Sequence, residues 1–240
     1  MIGNGRMMGG GKTRLNQTNV LRALANVEQP FTLGDVAHVG ALVMYAYTCH
    51  GAVQWHKHID HDELFLVREG WMMLESEWGN VTLRPDEMAI VSKGVAHRSG
   101  SQLRARVLLL QPAAGADRRN GHRRILAIPG EKELLKFRLT DAAKRADPFR
   151  PEPIADIEEL TVQVVAGSGL SPMVVNPLSD SLWLVLQGEA RMEAEGESAE
   201  MEANDLVVVG RGVPHRWASP AAATMLLVSQ WSEGAWPAAD

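Results

Sequence analysis

A single cysteine, Cys49, stands among 240 residues, so the chain has no disulfide framework, no zinc ribbon and no dithiol redox pair, which fits a reducing compartment. Positive charge is not in excess either. Lys and Arg number 24 against 29 Asp and Glu, for a net charge of −5, and the basic residues are scattered apart from a loose group at Arg118, Arg119, His122, Arg123 and Arg124. Nucleic acid is therefore not an expected partner, and no helix-turn-helix pattern is attached. No apolar run approaches the length of a membrane span, and the opening MIGNGRMMGGGKTR lacks the continuous apolar stretch of a secretory signal. A cytoplasmic protein with no membrane partner is expected. The GGGKT within that opening is not a phosphate-binding loop, because Arg6 stands where the pattern needs its first glycine and no strand precedes it. Residues 1–16 are read as a disordered N-terminus. What the chain does have is 45% hydrophobic residues, enough to bury the core of one large domain or two ordinary ones.

A shift of 118 residues brings two segments of the chain into register without a gap. Val91-Ser-Lys-Gly-Val-Ala-His-Arg98 falls on Val209-Gly-Arg-Gly-Val-Pro-His-Arg216, Leu64-Phe-Leu-Val-Arg-Glu-Gly70 on Leu182-Trp-Leu-Val-Leu-Gln-Gly188, and Gly51 on Gly169. β-rich sequences resemble one another by composition, but composition does not impose one constant spacing. The chain reads as two copies of one domain. Each copy is a series of short strands rich in Val, Leu, Met and aromatics: Ala41 to Cys49, Leu64 to Val67, Trp71 to Glu75, Met88 to Val91 and Arg106 to Leu110, then Leu160 to Val165, Leu182 to Leu186, Leu206 to Val209 and Thr224 to Val228. Such a pattern implies an all-β sandwich or barrel. Between the copies, Glu131 to Arg145 carries a helical stripe at Leu134, Leu135, Phe137, Leu139 and Ala142, after which Pro148, Pro151 and Pro153 force an extended passage. The expected organisation is a first barrel over 17–115, a partly helical connector over 116–156 and a second barrel over 157–236.

Within the first copy, HKHIDHDE places three histidines and three carboxylates in eight residues, His56 to Glu63. His56 and His58 are two apart, so on a strand both imidazoles leave the same face. A turn over Ile59 to Asp62 would return the chain as a strand beginning at Glu63, and the Lys93-Gly94 turn would bring His97 to the same interior. Three imidazole nitrogens and one carboxylate oxygen suit a divalent transition metal: Fe, Mn, Ni or Zn. The opposing reading of the cluster is polar surface. Asp60, His61 and Asp62 fall by alternation in the turn and are expected to be solvated, with His61 or Asp62 a lesser option as ligand or as a partner orienting an imidazole.

These residues resemble the two signature motifs of the cupin superfamily. Gly51, His56, His58, Glu63 and Gly70 correspond to the first motif, and Asp86-Glu-Met-Ala-Ile-Val-Ser-Lys-Gly-Val-Ala-His97 to the second. The segment WHKHIDHDELFLVREG also resembles small bacterial cupins often labelled mannose-6-phosphate-isomerase-like. Asp86 stands where the second motif usually has glycine, Ser92 where it has proline and Ser101 where it often ends in asparagine. The resemblance covers Gly40 to Gln111 well and the second copy in skeleton. It implies tandem double-stranded β-helix (jelly-roll) barrels, a bicupin, with a metal held by His56, His58, Glu63 and His97.

In the second copy Val174, Asn176 and Ser181 replace His56, His58 and Glu63, and only His215 is kept, so a metal-free barrel is expected. It would be structural, or would bind an organic ligand against Trp183, Trp217, Met173 and Met192, though filling the core is the simpler role for these side chains. Tyr45, Tyr47, Trp55, Trp71 and Met88 pose the same choice in the first copy, where some should line the space above the metal. Two enzyme classes follow for a small oxygen-rich substrate: a dioxygenase with iron or another redox-active ion, or an isomerase, cyclase or decarboxylase using the ion as a Lewis acid. Tyr45, Tyr47, His61 and Glu75 are candidates for acid–base work. The non-catalytic alternative is a bicupin that binds or senses a small molecule. A homodimer through exposed strand edges is compatible with either.

Overall fold

The computed structural model describes residues 15, 17–25, 27, 29–113, 119–120 and 133–230. Along the chain run β1 (Gln17–Asn19), α1 (Val20–Ala23), β2 (Gly34–Val39), β3 (Leu42–Ala52), β4 (His56–Lys57), β5 (Glu63–Glu69), β6 (Met72–Ser76), β7 (Gly79–Leu83), β8 (Glu87–Val91), β9 (His97–Pro112), β10 (Arg119–Asn120) and β11 (Lys136–Arg138). There follow α2 (Leu139–Ala143), β12 (Glu152–Ile157), β13 (Leu160–Leu170), β14 (Ser181–Gln187), β15 (Glu189–Ala194), β16 (Glu197–Glu202), β17 (Asp205–Val209) and β18 (His215–Ser229). Two antiparallel sheets result, and the architecture is the expected pair of β-barrels. The first has the order β10-β4-β9-β5-β8-β11, with β3 and β6 also on β9; the second has β1-β17-β14-β18-β13-β12, with β15 also on β18.

One pairing scheme serves both sheets at the 118-residue shift. Glu63 faces Val91 and Ser181 faces Val209; Met44 faces Leu110 and Val162 faces Val228; Gly51 faces Ser101 and Gly169 faces Ser219. The bulge between Cys49 and Gly51 reappears between Gly167 and Gly169. Gly70 and Gly188, both at positive φ, end β5 and β14 against the neighbouring strand, where a Cβ would lie 2.7 Å from the carbonyl oxygen of Arg104 or Ala222. No side chain fits there.

Among the described residues, three hydrophobic clusters form the core. Alternation along β5 sends Phe65 and Val67 into the first barrel with Tyr47, Leu74 and Val107, while Val165, Trp183, Val185 and Met225 fill the second. The opposite faces meet each other: Leu64, Leu66, Leu108 and Leu110 pack with Val162, Leu182, Leu184 and Leu226, joined by Val20 of α1 and Leu139 of α2. Burial on both faces is why Glu63 to Arg68 is inaccessible throughout.

Arg68 crosses that interface. Its Nε donates to Asn204 Oδ1 at 2.8 Å, its Nη2 to the Leu186 carbonyl at 2.9 Å, and its Nη1 pairs with Asp86, whose other oxygen accepts from Gln187 Nε2 at 3.0 Å. Asp86 and Asn204 both have left-handed backbones, φ 63° and 75°. Asp and Asn tolerate that conformation better than other side-chain-bearing residues, so the departure from glycine at Asp86 supplies an acceptor for a buried cation at little backbone cost.

Three expectations need correction. The helix read over Glu131 to Arg145 begins outside the described residues and is otherwise only Leu139–Ala143; Lys136–Arg138 instead pairs as a strand with β8. The open edge of β8 and its inaccessible Glu87, which takes Lys136 at 3.2 Å and Arg138 at 2.8 Å, outcompete the helical stripe. Gln17–Asn19, read as the start of the first barrel, joins the second sheet through β17. Of the N-terminus expected to be disordered, Leu15 is described, its N–H donating to Glu197 at 3.0 Å, and the rest lies outside the described residues.

Candidate metal centre

The two-residue β4 pairs His56 with His97 of β9, and the chain turns over Ile59 to Asp62 to re-enter as β5 at Glu63. His56, His58, Glu63 and His97 are all buried, and one donor atom from each lies within 4.8 Å of the other three. Among the described residues no other set of His, Cys, Asp and Glu converges in this way. His56 Nδ1 lies 2.8 Å from the Gln54 carbonyl and His97 Nδ1 3.0 Å from that of Val95. A carbonyl can only accept, so both Nδ1 atoms carry the proton, and each Nε2 is left with a lone pair.

Glu63 lies between the rings. Its Oε1 is 3.4 Å from His58 Nε2, and its Oε2 is 2.8 Å from His97 Nε2. That second approach is short but misaligned, and neither atom has a hydrogen-bond partner. Burying an unpaired polar atom costs about 1–3 kcal/mol. Two lone-pair-bearing atoms aimed at a common third point have this geometry, and a cation at that point would satisfy both. The donor set therefore fits a divalent transition ion.

Above the four side chains is a cavity of about 340 Å³ with largely aromatic and aliphatic walls, including Phe31, Phe65 and Leu109. Tyr45, Tyr47 and His61 line it, as their candidacy requires. Burial pushes the Tyr47 phenol well above its ordinary range, which keeps it protonated, and its hydroxyl donates to Met72 Sδ at 3.5 Å; burial, then Asp35, raises Tyr45. Glu75 is elsewhere. It points to the opposite side of β6 from Leu74, pairs with Arg98 at 2.5 Å and borders an outer groove with Trp71 and Met73. Trp55 lies under the Arg98 guanidinium, 5.3 Å away, and Met88 belongs to the core between the sheets, so neither of these nor Trp71 lines the cavity.

His61 corrects the reading of the turn. It is buried instead of solvated, its ring centroid lies 4.4 Å from that of His58 at a 40° tilt, and its Nδ1 is 2.8 Å from Asp60 Oδ1, while Asp60 stays exposed. Strand alternation does not continue through a bend, and here the bend folds His61 back onto His58. It stays outside the set of four. Asp62 braces the loop: its carboxylate accepts from Lys93 N at 2.8 Å, and its own N–H donates to Glu158 at 2.8 Å. Phe31, Ser99 and Gln111 also line the cavity and were not foreseen. Gln111, a polar residue directly after the apolar run Val107 to Leu110, was the available signal.

In the second sheet Val174 bridges His215 as His56 pairs with His97. Asn176 Nδ2 lies 3.3 Å from Ser181 Oγ, and His215 Nδ1 donates to the Val213 carbonyl at 2.9 Å. Trp183 and Trp217 stand where the first barrel has Phe65 and Ser99, and Phe149 packs on Trp217 at 4.9 Å between centroids. With Met192 they fill the core, whereas Met173 is 51% exposed and forms no wall.

Residues 161–229 match the family described as cupin domain, so it is the second barrel, with no converging donor set among its described residues, that fits the family model. A stretch of 55 residues is 34% identical to an uncharacterized protein, YdbB, of Bacillus subtilis (strain 168), covering 22% of this chain and 49% of that protein. The chain thus spans about half the length of the curated relative it matches. In fold it is similar to a cupin 2 conserved barrel domain protein from Leptotrichia buccalis, with TM-score 0.70 and 12% identity over 92% of this chain and 99% of that one. It is also similar to a variant of salicylate 1,2-dioxygenase from Pseudoaminobacter salicylatoxidans in complex with gentisate, with TM-score 0.71 and 12% identity over 93% and 84%. At such identities the likeness is one of fold.

Proposed function

We propose that the chain is a member of the cupin superfamily, a reading supported by the family match of residues 161–229 and by its fold neighbours, and that it is a metal-dependent enzyme acting on a small oxygen-rich organic molecule in the cavity of its first barrel. In this reading it is a bicupin whose first barrel runs from β2 to β9 and whose second runs from β12 to β18, with β1 added to the second sheet and β11 of the connector to the first, the second barrel being metal-free. His56, His58, Glu63 and His97 hold one divalent ion: Fe, Mn, Ni or Zn. The observation that carries the reading is the convergence of their donor atoms within 4.8 Å at a cavity wide enough for an organic molecule. Buried His215 beside Asn176 and Ser181 offers no comparable set.

The ion would supply Lewis acidity, or redox exchange with dioxygen if it is iron. The chain supplies the rest. The carbonyls of Gln54 and Val95 hold two imidazoles in the tautomer that offers Nε2. Glu63 contributes the negative charge, Phe31 and Phe65 exclude water, and Tyr47, kept protonated, can donate to a substrate oxygen. Dioxygenase chemistry on a chelating enol, diketone or catechol-like molecule is the first form of the proposal; gentisate, bound by one fold neighbour, is such a molecule. The second form, Lewis-acid isomerisation or cyclisation, draws on the His61–Asp60 pair at the cavity wall.

Elemental analysis of protein purified without a metal-affinity tag tests the site. About one equivalent of a divalent ion is expected in the wild type and in His215→Ala, and none in the double variant His56→Ala/His58→Ala. Metal loss in His215→Ala would overturn the assignment to the first barrel. No metal in any of the three, even after reconstitution, would turn the reading to non-catalytic binding of a small molecule. With metal present, oxygen consumption with gentisate or a diketone separates the dioxygenase from the Lewis-acid form.

A further inference from the structure

We infer that Glu158, in the second barrel, is a positioning residue for the metal centre of the first, an inference that rests on the metal reading above. The Ile59 to Asp62 loop carries His61 and delivers Glu63. Two anchors hold it from within its own barrel: Gly94 N donates to the His58 carbonyl at 2.5 Å, and Lys93 N to Asp62 Oδ1 at 2.8 Å. The second barrel repeats both, with Gly212 N to the Asn176 carbonyl at 2.7 Å and Arg211 N to Asp180 Oδ1 at 2.8 Å.

The third anchor is not repeated. Asp62 N–H donates to Glu158 Oε1 at 2.8 Å, from a residue 96 positions away in the turn between β12 and β13. The matching turn of the first barrel has Gly40, which shares a pocket with Asp180 but has no side chain to accept from it. Both turn residues are left-handed, Gly40 at φ 57° and Glu158 at φ 49°. Glycine satisfies that conformation without strain, whereas a glutamate costs about 1–2 kcal/mol. A turn needed only for closure would gain from glycine. Instead the side chain is present on the one turn that faces a loop leading to candidate metal ligands, and the second barrel thereby braces Glu63 through its neighbour.

The test uses the full chain with Glu158→Gly, which removes the acceptor while relieving the backbone, and Glu158→Gln, which keeps an acceptor oxygen. Two readouts apply: amide hydrogen exchange at Asp62 in metal-free protein, and cobalt(II) titration followed by its visible spectrum. Expected are exchange roughly tenfold faster in Glu158→Gly and cobalt affinity weaker by about 10–100-fold with an altered spectrum, both restored in Glu158→Gln. Equal exchange in the two variants would overturn the contact. Faster exchange with unchanged cobalt binding would overturn the positioning role. A wild type that takes up no cobalt would overturn the metal reading and the role together, and the exchange rates would show separately whether the contact itself stands.

Discussion

Gly70→Ala and Gly51→Ala separate two costs that usually come together. Both glycines are left-handed, at φ 73° and 87°. A Cβ at Gly51 meets nothing within 4 Å, so the substitution carries only the conformational penalty of about 1–2 kcal/mol, less about 0.4–1 kcal/mol regained from a stiffer unfolded chain. At Gly70 the same Cβ lies 2.7 Å from the Arg104 carbonyl oxygen and 3.0 Å from Ala105 Cα. Those are backbone atoms in the interior of β9, so the strand must move, adding about 1–3 kcal/mol. Urea unfolding of metal-free protein, followed by tryptophan fluorescence, should place Gly70→Ala below Gly51→Ala in stability by that increment. Gly188→Ala, which would meet Ala222 and Ala223 at 2.7 and 3.0 Å, should match Gly70→Ala if the two sheets are copies of one design. Equal losses for Gly70→Ala and Gly51→Ala would refute the close-approach argument, and a mild Gly188→Ala beside a severe Gly70→Ala would refute the equivalence of the sheets.

Other outcomes follow from the site. His61→Ala should leave metal content nearly unchanged, because His61 lies outside the set of four; a large loss by elemental analysis would make it a ligand. Burial pushes His215 below its ordinary value, only partly offset by its hydrogen bond to the Val213 carbonyl. Its unfolded form, titrating near about 6.5, therefore takes up a proton first as the pH falls. The stability His215 contributes is full above that value and is lost as the pH drops through the depressed folded one. His215→Gln should flatten the decline in unfolding free energy between pH 7 and pH 5, and curves parallel to the wild type would contradict this. Leu184→Ala, in the core between the sheets, should cost about 2–5 kcal/mol in one cooperative transition, and two separated transitions would show that the barrels fold independently.

The features legible in the sequence were those with fixed spacing. The 118-residue shift and the offset of His56 from His58 depend on strand geometry alone, and the pairing registers repeat that shift. Strands with weak propensity were not seen: β15 and β16, EARMEA and ESAEME, are built of Glu, Ala and Met, and pair through a hairpin and not through composition. His61 was misplaced because alternation has no meaning in a bend. The core between the sheets was hidden because burial on both faces of β5 reads only as an apolar run, and nothing local in Leu64 or Leu66 shows that the facing surface is the other half of the chain. Lys136–Arg138 became a strand for a similarly remote reason, the charge of Glu87.

Arg68 ties the two halves together through one buried cation. One guanidinium serves two left-handed corners, Asp86 in its own half and Asn204 in the other, and reaches the carbonyl of Leu186, its own counterpart at the 118-residue shift. Were the halves identical and merely associated, a second arginine would arrive at Leu186, and two like charges a few ångströms apart would repel by roughly 4 kcal/mol at the effective dielectric of such sites. Divergence of the halves within one polypeptide removes that conflict. It lets one half surrender its cation while the other retains it, so that a single buried ionic knot fixes their mutual register.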